Sequence, residues 1–392
     1  MSSLVIEPEV QSEIKHVCHV CGSESLQLFP RYSRFCRVTS DCKPWSRGGN
    51  LALCQSCGCV QKLADTIWGA ETAAIYDSYS IYHQSGGNEQ VVFNQISGIP
   101  ASRSSKIIQC LSQETQLPLN GKHLDIGCGN GALLRQFHDQ FPEWTLFAIE
   151  LNDKYKDIVE SIPCVQKMYV SDNLEHIEAP FDCITMVHVL EHILNPRSYL
   201  KKVHNILSPE GILIIEVPNF IKNPYDLIIV DHCTHFDINS LESLLKVTGF
   251  EVIYSSIKCV AKELTVIARK NTNLNLKIDS IDIHKTSDFV NRCIKWLDSN
   301  IHTSFDFGSK HYFGIFGTSI SATWLFAENP KIVSFFVDED PNRIGKQHLG
   351  LPIYSPKHIP RDSVVFLPFC FAQSKKIKQR LEVLNNDAKF IL

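Results

Sequence analysis

From residue 123 onward the chain alternates short apolar runs with stretches whose apolar residues recur every three or four positions. The runs at 123–127, 145–150, 165–170, 182–188, 211–217, 251–257 and 264–269 predict seven strands. Helical spacing at 132–140, 153–161, 196–207 and 240–248 predicts the helices between them. Apolar strands separated by amphipathic helices call for a mainly parallel sheet covered on both faces, an α/β domain. A smaller α/β unit is predicted over 287–392. Its elements are a helix at 288–300, strands at 312–317, 332–337 and 363–368, a helix after Ser319 and a helix at 374–384.

Residues 271–286 are polar and without pattern, so they predict a linker. Upstream, 66–120 carries helical patterns broken by a polar stretch at 84–88, and 1–15 reads as a mobile lead-in. Residues 16–62 lack any long period but are rich in Cys, Arg and Gly. That composition fits a segment organised by a metal rather than by an apolar core. The predicted order is a metal-binding module within 1–65, the main α/β domain over 66–270, and the second unit.

Composition narrows the class. Net charge is −4 over 392 residues, so no basic field points to nucleic acid or an anionic membrane. No apolar run reaches the roughly 18 residues of a membrane span. The early acids of 1–15 argue against a signal peptide. Fifteen cysteines is a high count, and seven of them fall between Cys18 and Cys59. An odd total with paired spacing favours reduced thiols and a metal, hence a cytoplasmic protein.

The cysteines pair as Cys18-x2-Cys21-Gly and Cys54-x2-Cys57-Gly, two knuckles separated by 32 residues. Each knuckle presents two thiolates at the spacing of half a tetrahedral zinc site. Four thiolates close the coordination sphere, so the expected Zn2+ is structural. Cys36, Cys42 and Cys59 fall outside this pattern.

The most specific motif is Leu124-Asp125-Ile126-Gly127-Cys128-Gly129-Asn130-Gly131, a strand running into a glycine turn that opens a helix. Glycines there permit a tight turn and bring backbone close to a ligand. Glu150 ends the next predicted strand, nineteen residues after Gly131, where a carboxylate can take both hydroxyls of a ribose. The spacing is G-x-G-x-G rather than the dinucleotide G-x-G-x-x-G, with an acid just ahead of it. This resembles motif I of the class I S-adenosylmethionine-dependent methyltransferases, as does the segment His188-Val189-Leu190-Glu191-His192 after the fourth strand. The resemblance implies a Rossmann-like seven-stranded sheet. It also implies that Asp125, Gly127, Cys128, Gly129 and Gly131 face the methionine end of the cofactor and Glu150 its ribose. Tyr76, Tyr79 and Tyr82, just upstream, are either one packed helical face or a lid in which Tyr79 and Tyr82 cover the cofactor.

Zinc knuckles, this core and a second α/β unit together resemble the deoxysugar C-methyltransferases, which act on nucleotide-linked keto sugars. In the tail, Gly314-Ile315-Phe316-Gly317-Thr318-Ser319 and Phe336-Val337-Asp338 look like that family's C-terminal Rossmann-like domain. The resemblance implies that His188, His192, Asp231 and His232 line the sugar site. The chain departs from the family at three positions: Ile229 stands for a tyrosine, His188 for an asparagine and Asp231 for a glutamate.

Read from the residues alone, Asp231-His232-Cys233-Thr234-His235 follows a strand at the carboxyl edge of the sheet, where such sheets bind ligands. An imidazole near its ordinary pKa can remove a proton beside a carbonyl, with Asp231 as the expected tautomer-fixing neighbour. Capping or packing before the next helix is the alternative for His232 and His235, and a metal held by the two lacks a third ligand. Three functions follow: C-methylation through an enolate, O-methylation of a hydroxyl, or a zinc-organised scaffold that binds a partner. An intact Asp125, glycine loop and Glu150 favour the enzymes.

Overall fold

A computed structural model of the chain describes residues 16–79, 89, 91–93, 100–271 and 282–392. The expectations for 1–15, for the break at 84–88, for Tyr82 and for most of the linker lie outside the described residues. The seven expected strands are present as β1 (Lys122–Ile126), β2 (Thr145–Glu150), β3 (Val165–Val170), β4 (Phe181–Val187), β5 (Leu207–Pro218), β6 (Phe250–Ser256) and β7 (Glu263–Lys270). They form one sheet in the order β3-β2-β1-β4-β5-β7-β6. Pairing is parallel from β3 through β5, and β7 runs antiparallel to both β5 and β6. Leu124, Ile126, Ile184, Met186, Leu213 and Ile215 are all buried, as strands covered on both faces must be.

Helices α1 (Thr66–Asp77), α2 (Arg103–Glu114), α3 (Ala132–Gln140), α4 (Lys156–Glu160), α5 (Pro196–Ile206) and α6 (Ile238–Val247) precede or connect these strands. Their starts are set by side chains that satisfy otherwise orphaned amides. Asp65 accepts from Trp68 N, Asn195 from Ser198 N ahead of Pro196, and Asp237 forms a capping box with Ser240.

In the second unit the expected strands appear as β8 (Phe313–Phe316), β9 (Phe335–Val337) and β12 (Val364–Phe366). Three more were not expected from pattern: β10 (Gln347–His348), β11 (Leu351–Tyr354) and β13 (Lys389–Ile391). The sheet order is β10-β11-β9-β8-β12-β13. Each of the added strands is four residues or fewer, too short to show a period. Helix α7 spans Ile283–Gly308, so it starts inside the stretch expected to be linker, capped by Asp282. Helices α8 (Ile320–Glu328) and α9 (Phe371–Leu384) complete the unit.

The cysteine segment is tied into both other units. Its strands Leu26–Leu28, Leu51–Cys54 and Val60–Lys62 form a sheet whose fourth member is Thr234–His235, from the segment after β5. Phe29, Tyr32 and Phe35 share a buried cluster with Tyr225, Leu227 and Trp324. Trp324 Nε1 donates to Cys36 O at 3.1 Å. Among the described residues no helix is long and apolar enough to cross a membrane.

Candidate active site

A single cleft of about 1620 Å³ runs along the carboxyl ends of both sheets. It is walled by the glycine turn and Glu150, by His188, His192 and His232, and by Arg343, Lys376 and Arg380 of the second unit. The turn takes the conformation its glycines allow: Gly127, Gly129 and Gly131 all have positive φ, and Gly131 caps α3. A Cβ on Gly127 would lie 2.4 Å from Val189 Cγ2, so the turn and the segment after β4 interlock. Asp125, Gly127, Cys128 and Glu150 line the cleft; Gly129 and Gly131 shape the turn behind it. Glu150 Oε2 accepts from Gly129 N at 3.0 Å and Oε1 from Leu151 N at 2.9 Å, which fixes the carboxylate before any ligand arrives.

Asp125 is buried and accepts from Thr185 Oγ1 at 2.6 Å. Burial pushes its carboxyl up to about 7. Thr185 Oγ1 in turn lies 2.9 Å from His123 Nε2, and with its proton committed to Asp125 it accepts from that nitrogen. His123 therefore carries its proton on Nε2, stacked on Phe137, and burial holds its pKa down to about 3.

The histidine cluster is organised by an acid that the sequence reading missed. Asp226 Oδ1 accepts from His232 Nδ1 at 2.7 Å and Oδ2 from His235 Nδ1 at 2.6 Å. Asp226 stands in the short helical turn Pro224–Ile228, a lone acid in an apolar run, and that isolation was its only signal. The expected pairing of His232 with Asp231 is not what forms. Asp231 turns the other way, accepting from Ser40 N at 2.9 Å and Ser40 Oγ at 2.5 Å. Asp231 lies in the turn that follows the Val38–Ile229 bridge, so its carboxylate meets Ser40 of the cysteine segment while His232 reaches back to Asp226.

Burial alone would depress His232, but its bond to Asp226 and that residue's charge outweigh it and raise the pKa. Burial likewise works to raise Asp226, yet His235 and His232 hold it below the usual carboxylate range. With Nδ1–H given to Asp226, His232 keeps its lone pair on Nε2. His192 crosses it edge to face at 4.6 Å between ring centres and has Nδ1 3.0 Å from Asp231 O. His188 sits with Nδ1 3.0 Å from Glu191 Oε1, and burial lowers it to about 4. His235 is fully buried behind the cleft wall, so it braces Asp226 and does not meet a ligand.

Among the described residues, Cys18, Cys21, Cys54 and Cys57 bring their sulfurs within 4.8 Å of one another. Two contacts are closer, Cys18–Cys57 at 3.4 Å and Cys21–Cys54 at 3.5 Å. A tetrahedron with Zn–S near 2.3 Å has sulfurs roughly 3.8 Å apart, so the four thiols fit a closed zinc site. Cys36 and Cys59 are buried packing groups. Glu191, His192 and His232 also come within 4.8 Å, with Glu191 Oε1 beside His188 and His232 Nδ1 on Asp226. We read that group as a hydrogen-bonded site.

Three further cleft residues carried no sequence signal: Ser40 from the cysteine segment, Asp172 just past β3, and Arg103 at the start of α2. Arg103 Nε lies 3.5 Å from Glu216 Oε1. Tyr76 and Tyr79 both line the cleft, with the Tyr76 ring 6.3 Å from that of His192.

Comparison with known proteins agrees with this architecture. Residues 101–255 match the family model described as a methyltransferase domain. A ubiquinone biosynthesis O-methyltransferase from Glaesserella parasuis is 31% identical over 118 residues, 28% of this chain and 50% of that protein. A dTDP-4-amino-2,3,4,6-tetradeoxy-D-glucose N,N-dimethyltransferase from Saccharopolyspora spinosa is 26% identical over 168 residues, 40% of this chain and 61% of that protein. A solved S-adenosylmethionine-dependent methyltransferase from Clostridium acetobutylicum aligns at 17% identity and a TM-score of 0.36, over 52% of this chain and 99% of its own. Residues 101–255 thus match a methyltransferase domain, and the sheet has the mixed α/β, Rossmann-like order of that fold. It spans about half the length of the first curated relatives it matches.

The chain His123–Thr185–Asp125 has a measurable signature. His123 has a lowered folded pKa, so below about 6.5 the unfolded state takes up a proton that the folded state refuses, and stability is lost as pH falls. Asp125, with its raised pKa, carries the opposite sign between about 3.9 and 7. The two largely cancel in the native protein, whereas His123→Leu removes only the first. The stability deficit of His123→Leu relative to wild type should therefore shrink by about 2 kcal/mol between pH 7 and pH 5. Paired thermal melts across that range read it directly; a constant deficit would mean that His123 is protonated in the fold.

Proposed function

We propose that the protein transfers the methyl group of S-adenosylmethionine to a carbon beside the carbonyl of a nucleotide-linked keto sugar. The observation that carries this reading is His232, held by Asp226 with its lone pair on Nε2, in the same cleft as the glycine turn. The sulfonium of the cofactor is already activated, so an enzyme need only align the acceptor and, for a carbon acid, remove its proton. In this reading Asp125 and the 127–131 turn hold the methionine end, Glu150 the ribose, and Tyr79 covers the cofactor. His232 takes the proton, and His192 stands beside the oxygen that becomes negative. Asp231 anchors the segment, His188 lines its wall, and Lys376 offers a cation to phosphate beside Arg343, paired with Asp338 and Asp340, and Arg380, paired with Glu339. The sugar-methylating relative supports a sugar-linked acceptor.

The cofactor assignment predicts that Glu150→Ala weakens binding of S-adenosylhomocysteine by about 1.5–3 kcal/mol, the worth of bonds to a charged group. Calorimetry measures it, and unchanged affinity would place the ribose elsewhere.

The base assignment predicts that His232→Ala keeps cofactor affinity but lowers turnover about 10²–10⁴-fold. A keto sugar deuterated at the acidic carbon should exchange in wild type and far more slowly in the variant. Because the base must be neutral, exchange should rise with pH through an inflection above 6.5, the ordinary value from which Asp226 lifts His232. Asp226→Asn should move that inflection down. If no keto sugar exchanges while a 4-hydroxy sugar is methylated, the acceptor atom is oxygen, as the O-methyltransferase relatives suggest.

We also propose that the four knuckle cysteines hold one Zn2+. Metal analysis of wild type should give about one zinc per chain, and Cys18→Ser with Cys54→Ser should lose it. Since Thr234 pairs with Gln61 of the same small sheet, zinc loss should also slow proton exchange at the substrate. Full zinc in the double variant would move the ligands to other cysteines.

A further inference from the structure

Two cysteines far from the knuckles stand closer together than any other pair of thiols described. Cys110 Sγ, on α2, lies 2.6 Å from Cys259 Sγ, in the turn between β6 and β7. That separation is within roughly half an ångström of a disulfide bond. The Tyr254 hydroxyl is 3.6 Å from Cys259 Sγ. Cys110 is buried and Cys259 is part-exposed, so an oxidant meets Cys259 first. We propose that Cys110 and Cys259 are a redox modification site, which hydrogen peroxide converts to a disulfide that locks one wall of the methyl-transfer cleft.

The chemistry balances without a further reagent. The Cys259 thiolate attacks one peroxide oxygen; the O–O bond breaks, an S–O bond forms, and water leaves after protonation. Cys110 then attacks the resulting sulfenic acid, so that the S–S bond forms, the S–O bond breaks and a second water departs. Two thiols lose two electrons to one peroxide. As donor, Cys110 holds the Cys259 thiol down to about 6, which supplies thiolate at neutral pH, and Cys110 itself is pushed up by the same contact.

The consequence for the cleft follows from what the two cysteines are attached to. Arg103 and Ser104, at the start of the helix that carries Cys110, line it, and so do Val260, Ala261, Lys262 and Glu263, directly after Cys259. In the reduced protein these walls are joined by the ion pair of Arg103 with Glu263, at 3.8 Å. A disulfide replaces that adjustable contact with a covalent tie spanning 149 residues of sequence. Neither sulfur lines the cleft, so the effect is on its mobility and not on its chemistry.

The test uses the full zinc-loaded chain with stoichiometric hydrogen peroxide, followed by alkylation and peptide mapping without reductant. We expect one cross-linked pair joining the peptides of Cys110 and Cys259, and a loss of two alkylatable thiols. Zinc should be retained, and dithiothreitol should reverse the change. Hydrogen exchange across 257–262 should slow in the oxidised wild type and not in Cys110→Ser, where dimedone should instead trap Cys259 as its sulfenic acid. Cys110→Ala repeats the comparison should the serine disturb packing. The proposal is overturned if exposed Cys164 or the knuckle cysteines oxidise while Cys110 and Cys259 remain alkylatable, or if the cross-link forms and 257–262 exchanges as before. Mass and exchange are read without any methyl acceptor, so failure here is distinct from failure of the sugar assignment.

Discussion

The antiparallel pairing of Thr234 and His235 with Gln61 and Val60 is the constraint on which the site depends. The segment between β5 and α6, residues 219–237, must present His232 to the cleft with only the short helical turn Pro224–Ile228 and the two-residue strand Thr234–His235 of its own. The cysteine segment supplies the stiffness. Lys62 N donates to Cys233 O at 2.8 Å, Val230 N to Val38 O at 2.9 Å, and Trp68 Nε1 to Val230 O at 2.9 Å. The buried ammonium of Lys62 reaches the carbonyls of Ile229 and Val230. Backbone groups that would be orphaned on burial are thereby satisfied by a neighbouring unit.

This arrangement changes how the two cysteine knuckles are understood. Four thiolates around a cation are usually a means of folding a small segment that cannot bury enough apolar surface. Here the strand that begins three residues after Cys57 is also the edge on which the histidine segment lies. The same unit sends Ser40 to Asp231 and packs Cys36 against Trp324 of the second α/β unit. It is the joint between the other two.

Much of the fold was legible because sheet strands buried on both faces leave apolar runs, and helices between them leave a three-to-four-residue period. The glycine turn and Glu150 were legible for a different reason, since few residue types tolerate positive φ or can serve a ribose. The partnership of His232 was not legible. Its neighbour in sequence is Asp231, but Ser40 takes that acid, and the acid that reaches Nδ1 lies six residues back. Ser40 could not be found by any local rule, because its importance comes from docking across 191 positions. The short strands β10, β11 and β13 were hidden by length, and the first turn of α7 by the polar residues that begin it.

The contact between Ser40 and Asp231 bears on how such a chain can diverge. A substitution at 231 that lengthened the acid would push against a serine fixed by another unit, and one at 40 would cost a buried carboxylate its hydroxyl donor. Neither position is free to drift unless the other drifts with it. Inheritance should then treat the cysteine segment and the histidine segment as one block: grafts that exchange either alone between relatives would be barren, while grafts that carry both would breed true.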